Sequence, residues 1–518
     1  MLLMLDGAGT LQAQLLRACR DALAEGRLAA GARLPPSREL ARELGVSRNT
    51  VLAVYEQLRA EGLIEARVGA GSFVAASMSP PRPAPDAAIR ALPAPTTAYA
   101  RRARAHFDVH NQPGRTLPGM RFAFQYGVPM THPGLTDAWA RVLSHAAHYT
   151  QPTYGHVQGL PELRAAICDY LARRRGIRAC PEDVVVVAGT QQALALCARV
   201  LLEAGDGAVI EEPQYNAIRV GLQVHGARVH GIPVDGDGLA VHRMPRHGVR
   251  LACVTPSHQF PTGAALSLPR RRALLDWARQ SGAWVWEDDY DGEFRHEGAP
   301  TPALRAMDDD GRVIYVGSFS KTVFPALRLG YMVVPASLRQ DLVAAKWLAD
   351  FGCPGIEQAA LAHFMSSGAF ERHLRHTALE LRRRRTALVD GLARCGRGRL
   401  EIGDAHAGMH LVVRLRDCGR RDGDALVALA HAQGLGLYTM APYYLDAPDR
   451  AELLMGYASL TVAEIQDALV VFEHCLDALW SSRTKPSGAD QAAAYGYPPA
   501  ATGTDDKGDT DVRVSGTG

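Results

Sequence analysis

The stretch Ser318-Phe319-Ser320-Lys321-Thr322-Val323-Phe324-Pro325-Ala326-Leu327-Arg328-Leu329-Gly330-Tyr331 decides how this chain reads. Lys and Arg together number 57, yet only four are lysines: Lys321, Lys346, Lys485 and Lys507. Where nearly every positive charge is written as Arg, a retained Lys points to chemistry that a guanidinium cannot do. A desolvated amine can give up its proton and condense with an aldehyde. Hydroxyls at Ser318 and Ser320, with Arg328 further along, supply donors for a dianionic phosphate beside that amine. That combination suits pyridoxal 5'-phosphate, PLP.

A second stretch, Trp284-Val285-Trp286-Glu287-Asp288-Asp289-Tyr290-Asp291-Gly292-Glu293-Phe294-Arg295, begins as a buried apolar strand and breaks into carboxylates. PLP needs a carboxylate to keep its pyridine nitrogen protonated, and a donor near its ring oxygen. Asp288 and Tyr290, two apart at the strand end, point the same way into a crevice. On its own such a strand end is an ordinary solvated turn. Its pairing with a rare Lys reverses that weighting.

At 518 residues the chain is long enough for two or more domains. Charged residues make up 21%, hydrophobic ones 47%, and the net charge is +3, so no global polycation dictates a nucleic-acid partner and any DNA contact is local. The nine cysteines include no CxxC pair and read as reduced thiols of a cytoplasmic protein. No metal-ligand set stands out; His373 and His376, three apart, read as packing residues, and Arg382 to Arg385 as a solvated face. The start MLLMLDGAGT lacks an export signal, and no apolar run approaches about 18 residues.

Residues 11–23 show helical periodicity. Gly45-Val46-Ser47 makes a corner, and Ser47 caps a helix over 48–60 in which Val51, Val54, Tyr55 and Leu58 form one face. Arg48, Asn49 and Thr50 on its first turn are residue types that reach base edges and phosphates. Two short strands around Gly69-Ala70-Gly71 complete a helix-turn-helix with a wing. Residues 76–106, with six prolines, read as a linker averaging roughly 30 Å if flexible.

Beyond 107 strands and helices alternate. A helix opens within Tyr154–Leu163 and runs to Arg175; Val184–Val187 is a buried strand; Gly189-Thr190 opens the next helix and offers free amides to a phosphate. Further strands end at Glu211–Tyr215 and at Thr255-Pro256-Ser257-His258-Gln259-Phe260-Pro261-Thr262-Gly263. Such strand ends feed one crevice in an open α/β sheet. Residues 481–518, poor in large aliphatics, read as a disordered tail.

The run LPPSRELARELGVSRNTVLAVYEQLRAEGLIEARVGAGSFV resembles, over residues 11–75, the winged-helix domain of the GntR family. That resemblance implies sequence-specific binding of double-stranded operator DNA, with Arg38, Ser47, Arg48, Asn49, Thr50, Arg67 and the wing-tip Gly71 at DNA-facing positions. Residues 107–480 resemble a fold-type-I aminotransferase. The phrases YGHVQGLPELRAAI, TPSHQFPTG, EDDYDGEFR and SFSKTVFPALRLGY, in that order, resemble the MocR subfamily of GntR regulators. The implied architecture is an N-terminal winged helix-turn-helix at 8–75 (α+β) and an α/β PLP-dependent fold-type-I body. By the same resemblance Lys321 is the Schiff-base lysine, Asp288 the pyridine-nitrogen partner and Tyr290 the ring-oxygen donor. Tyr215 lies by the ring, and Gly189, Thr190, Ser318, Ser320 and Arg328 form the phosphate cup. Tyr154 reaches the neighbouring subunit's phosphate in a homodimer. His258 stands near the family's Asn-Pro-Thr-Gly loop, although this sequence has no Asn there.

Two functions follow: a PLP-dependent regulator sensing a small molecule, or a working aminotransferase carrying a DNA-binding appendage. The first uses both domains. The resemblance places the substrate-carboxylate Arg at Leu454, so turnover of ordinary α-amino acids is not expected. PLP itself is then the favoured effector, in vitamin B6 metabolism. An amine or amino acid held by Arg219 or a partner-subunit Arg is the competitor.

Overall fold

A computed structural model describes residues 3–67, 70–75, 96–107, 118–151, 153–298, 301–403 and 406–483. The chain divides into two compact units, 1–95 and 96–518.

The first unit contains α1 (Leu11–Ala24), α2 (Ser37–Leu44), α3 (Arg48–Ala60), β1 (Ile64–Arg67) and β2 (Gly71–Val74). Each helix end has a local cause. The Thr10 hydroxyl accepts from the Ala13 amide, Gly45 ends α2 in the left-handed region at φ 66°, and the Ser47 hydroxyl accepts from the Thr50 amide at 3.1 Å. Val51, Val54 and Leu58 are buried against Leu15, Cys19 and Leu40, while the Tyr55 hydroxyl donates to the Pro35 carbonyl at 2.9 Å. The antiparallel wing pairs Ile64 with Val74 and Arg67 with Gly71.

The second unit opens with α4 (Ala98–His106), β3 (Phe122–Ala123), α5 (Pro133–Tyr149) and α6 (Pro161–Arg175). Its sheet follows: β4 (Val184–Val187), α7 (Thr190–Leu201), β5 (Gly207–Glu212), α8 (Asn216–His225), β6 (Arg228–Asp235), β7 (Gly238–Leu239), β8 (Val249–Val254), α9 (Leu268–Ser281), β9 (Trp284–Asp289), β10 (Val313–Ser318) and β11 (Gly330–Val333). Then come α10 (Ala336–Asp350), α11 (Gly355–Ser366), α12 (Ala369–Gly396), β12 (Leu400–Ile402), β13 (His410–Leu415), α13 (Arg420–Ala432), β14 (Leu435–Gly436), β15 (Glu452–Gly456) and α14 (Val462–Arg483).

The eight-stranded sheet has the order β4-β11-β10-β9-β8-β5-β6-β7. β5, β6, β8, β9 and β10 run parallel, whereas β11 lies antiparallel between β10 and β4. Both faces are covered, which is why β4 is an unbroken run of four valines. The two-residue alternation sends Val184 and Val186 into one core and Val185 and Val187 into the other. A smaller antiparallel sheet, β12-β13-β15, carries the C-terminal part, and β14 pairs with β3.

Two boundaries differ from the sequence reading. The linker expected over 76–106 gives way at Ala98 to α4, capped by Thr97 and docked on α8, where Arg102 donates to the Val224 carbonyl and Tyr99 packs edge-on against His225. Its Ala/Arg sequence has no apolar stripe, so docking to α8 rather than periodicity accounts for it. The helix expected to open within 154–163 and run to Arg175 does so, starting at Pro161, a favoured first-turn residue. Helix α14 extends to Arg483, past the expected tail start; linker residues 76–95 and tail residues 484–518 lie outside the described residues. Arg382 to Arg385 is not a uniform solvated face either, since Arg384 donates to the Ala458 carbonyl and Arg385 pairs with Glu297, both largely buried. No described helix is long and apolar enough to cross a membrane.

Candidate cofactor crevice and DNA-reading face

Strand β9 sorts its acids by alternation. Glu287 turns away and accepts from the Leu304 and Arg305 amides at 2.7 and 2.8 Å. Asp289 pairs with the buried Arg175 and accepts from the Tyr315 hydroxyl at 2.6 Å. Asp288 alternates to the other side of the strand; it is buried, and its Oδ1, like Oδ1 of Asp289, has no hydrogen-bond partner. Burial, with Asp289, Asp291 and Glu211 nearby, pushes its carboxyl up to about 8, against the opposing pull of Lys321. A buried acceptor without a donor is costly. An aromatic N–H bearing positive charge is the kind of group that would satisfy it, so Asp288 fits the pyridine-nitrogen role.

Lys321 follows β10. Its amine donates to the Gly127 carbonyl, and burial lowers its pKa to about 8, against the raising effects of Asp291 and Asp288. An amine with its pKa lowered this far has far more free base at physiological pH than an ordinary Lys, which suits it to attack a carbonyl carbon. Thr322, the next residue, has its carbonyl held at 2.8 Å by Nε2 of His373, whose Nδ1 lies 3.1 Å from His132. Burial takes His373 down to about 4, so it is neutral and positions the lysine loop.

The phosphate-cup residues converge because β11 joins two strands. Gly330 pairs with Ser318 on one side and Val187 on the other, and a Cβ on Gly330 would meet the Gly317 carbonyl at 2.9 Å and the Gly189 Cα at 3.2 Å. Gly189, at φ 83°, is the N-cap of α7, with Thr190 its first residue. Arg328, itself left-handed at φ 51°, donates to the Ala188 carbonyl at 2.9 Å, and its guanidinium lies 3.3 Å from where a Gly189 Cβ would sit. The Ser320 amide donates to the Ser318 hydroxyl at 3.1 Å. A helix N-terminus, two hydroxyls and a guanidinium are thus gathered at one place, the donor set of a dianion site.

Tyr290 and His258 form one unit with a residue the sequence reading did not single out. His258 Nδ1 lies 2.9 Å from the Tyr290 hydroxyl and 2.9 Å from Asp291 Oδ2. The backbone of Gly408 closes over the pair so tightly that a Cβ there would stand 2.1 Å from the His258 ring. His410 lies close by; one ligand atom from each of His258, Asp291 and His410 falls within 4.8 Å of the others. His410 Nε2 is within hydrogen-bonding distance of the Pro261 carbonyl, and burial holds its pKa well below the usual range. Tyr215 is the N-cap of α8, edge-on to Phe260 at 5.8 Å, its phenol pushed up to about 12 by burial and Asp288. Tyr154 is not part of this crevice; it is 94% exposed, with Phe351 as its ring neighbour.

In the first unit Arg38, Ser47, Arg48, Asn49, Arg67 and Gly71 are exposed and Thr50 half-buried beside its cap. Arg67 also pairs with Glu65 at 2.7 Å and lies over the Phe73 ring. The first turn of α3 therefore leaves its polar groups available to solvent or DNA.

Among the site residues, Asp291 sat inside a quoted motif but gave no separate signal, while Gly127, His410 and Gly408 come from segments remote in sequence and had none.

Residues 125–470 match the aminotransferase class I and II family, and residues 11–74 the gntR family of bacterial regulatory proteins. The chain is 36% identical over 495 residues to the probable rhizopine catabolism regulatory protein MocR of Rhizobium meliloti, covering 95% of this chain and 99% of that protein. It is 30% identical to the pyridoxine biosynthesis transcriptional regulator PdxR of Corynebacterium glutamicum, covering 89% of this chain and 96% of that one. In fold, the body is similar to the α-aminoadipate aminotransferase LysN of Thermus thermophilus, with a TM-score of 0.65 at 24% identity over 75% of this chain and 98% of LysN. With a GntR winged helix, an aminotransferase-type body and this similarity along nearly its whole length, the chain belongs to the MocR-type transcription regulators of the GntR family.

Proposed function

We propose that this regulator holds PLP in the crevice of its second unit and that the occupancy of that crevice sets how a homodimer engages operator DNA. The observation that carries the reading is the pairing of a depressed amine, Lys321, with a buried, unpartnered carboxylate, Asp288, next to an assembled phosphate cup. When bound, PLP supplies an electrophilic carbon for amines and an electron-poor ring. The chain's part is to offer Lys321 to that carbon, accept the ring N–H at Asp288, present Tyr290, steadied by His258, to the ring oxygen, and hold the phosphate with Gly189, Thr190, Ser318, Ser320 and Arg328. Tyr215 stands by as an aromatic neighbour. The exposure of Tyr154 fits a residue reserved for a second subunit's site.

The relatives' names point to different signals, rhizopine catabolism for one and pyridoxine biosynthesis for another, so similarity does not select the effector. PLP itself remains the favoured effector: the cofactor set is whole, whereas Leu454 is fully buried among apolar groups and offers a substrate carboxylate nothing. Arg219, the alternative grip, donates to the Tyr444 carbonyl and to Asn216. Operator binding of the full chain, with and without PLP and with a panel of amino acids, tests the proposal. PLP should change affinity or footprint; if PLP changes neither while one amino acid changes both, the B6 reading fails. Sustained conversion of an amino acid to a keto acid would make the protein an enzyme as well.

A further inference from the structure

Beside the cofactor residues lies a wall that PLP binding alone does not require. Phe260, Met440, Tyr443 and Leu454 are buried together, and Tyr126, Tyr215 and Tyr290 pack against them. The rings meet mostly edge to face: Tyr126 with Tyr443 at 5.8 Å, and Phe260 with Tyr443 at 5.2 Å and Tyr290 at 6.1 Å. Tyr126 immediately precedes Gly127, whose carbonyl receives the Lys321 amine, so this wall adjoins the reactive nitrogen. It has an apolar and π character, and among the described residues of this chain the nearby guanidiniums are engaged elsewhere: Arg219 as above, while Arg414 and Arg450 both lie on Glu452, at 3.0 and 3.4 Å. Arg328 belongs to the phosphate cup.

Apart from Lys321, the groups that border the crevice are acids. Asp288 and Asp291 both act on the Lys321 amine, and Glu211, buried among the Thr255 and Gln259 donors, is held up to about 7 by its burial. A ligand carboxylate entering here would lose its water among acids, and the described residues of this chain offer it no guanidinium in return. An ammonium would meet acids and aromatic rings, and an aryl or alkyl body would meet Phe260 and Tyr443, behind which Leu454 is buried.

We infer that the crevice is built to receive a primary amine that has an aryl or alkyl body and no carboxylate. This rests on the cofactor reading above and narrows it: such an amine is the second ligand, and α-amino acids are discriminated against. Tyr443 and Phe260 supply the body's contact, and Leu454 enforces the exclusion of the carboxylate.

The test uses the purified full chain carrying its cofactor, titrated by calorimetry with 2-phenylethylamine and with phenylalanine, which differ only in the carboxylate. The amine should bind at least tenfold more tightly than the amino acid, and Leu454→Arg should close or reverse that ratio. Because a buried Arg can unfold the site, Tyr443→Leu serves as the milder variant and should weaken the amine selectively. Equal or tighter binding of phenylalanine by the wild type, or no heat from either compound, would overturn the inference. Failure of the underlying cofactor reading is distinguishable, since it would appear as a colourless protein that retains no PLP before any titration begins.

Discussion

Replacing Asp288 by Asn should stabilise the cofactor-free protein while weakening its hold on PLP. The Asp288 carboxyl titrates near 8 instead of 3.8 because it is buried beside Asp289, Asp291 and Glu211. Between those two values the folded carboxyl keeps a proton that the unfolded one has lost. Folded stability therefore falls as pH rises through that window, by about 1.4 kcal/mol per unit from this group, and the burden at pH 7 is about 4 kcal/mol. Asn carries no charge and removes the dependence, although its amide inherits an unpartnered position worth about 1–3 kcal/mol, which offsets part of the gain. Urea unfolding of the cofactor-free full chain from pH 5 to pH 8 measures this, followed by intrinsic tryptophan fluorescence, to which Trp286, buried in the same strand, contributes. The variant should show a flatter pH slope and a net gain of about 1–3 kcal/mol at pH 7. Its PLP affinity should drop at least tenfold, because the ring nitrogen loses its ionic partner. An unchanged slope would mean that Asp288 is not a strained buried acid, and unchanged PLP affinity would remove it from the cofactor site.

With Lys321 lowered to about 8 by burial, covalent uptake of PLP by the cofactor-free protein should accelerate with pH up to about 8 and then level; a rate still climbing at pH 10 contradicts the depressed amine, and Lys321→Ala should be colourless. Gly408→Ala combines φ 78° with a Cβ 2.1 Å from His258 and 2.6 Å from Asp291, so it should cost at least about 2 kcal/mol and displace the His258–Tyr290 contact; an unaltered melting temperature and PLP affinity would show that the loop can yield. Arg48→Ala should weaken operator binding by about 1–3 kcal/mol and relax preference at one base pair. Fluorescence anisotropy measures it, and wild-type binding by both Arg48→Ala and Arg67→Ala would overturn the placement of the DNA-reading face.

What the sequence revealed depended on whether a signal was local. Helix α3, with its Ser47 cap and buried Val51, Val54 and Leu58, is written in adjacent residues and matches its expected span. So do the valine strand β4 and the alternation that separates Asp288 from Asp289. The rarity of lysine singled out Lys321, but rarity alone would not have separated it from Lys346, which is buried on Asp350 at 2.8 Å and serves packing. Partners brought in from distant segments could not be read. Gly127 at the Lys321 amine, His373 behind Thr322 and Gly408 over His258 are each set by tertiary approach, with no periodicity or spacing to betray them. Helix α4 escaped for the same reason: a short polar helix is held by what it docks on, and its own composition resembles a linker.

That docking gives the body an attachment point with mechanical meaning. Any force arriving along the chain at residue 96 is borne first by α4, and through Arg102 and Tyr99 it is passed to the C-terminal end of α8, at Val224 and His225. Helix α8 spans about 15 Å, and its other end begins at Tyr215, against Phe260 in the crevice. One helix thus connects the docking site of α4 to an aromatic side chain at the crevice. A displacement of α8 along its axis would therefore be felt at both ends, at the α4 docking site and at the Tyr215–Phe260 contact.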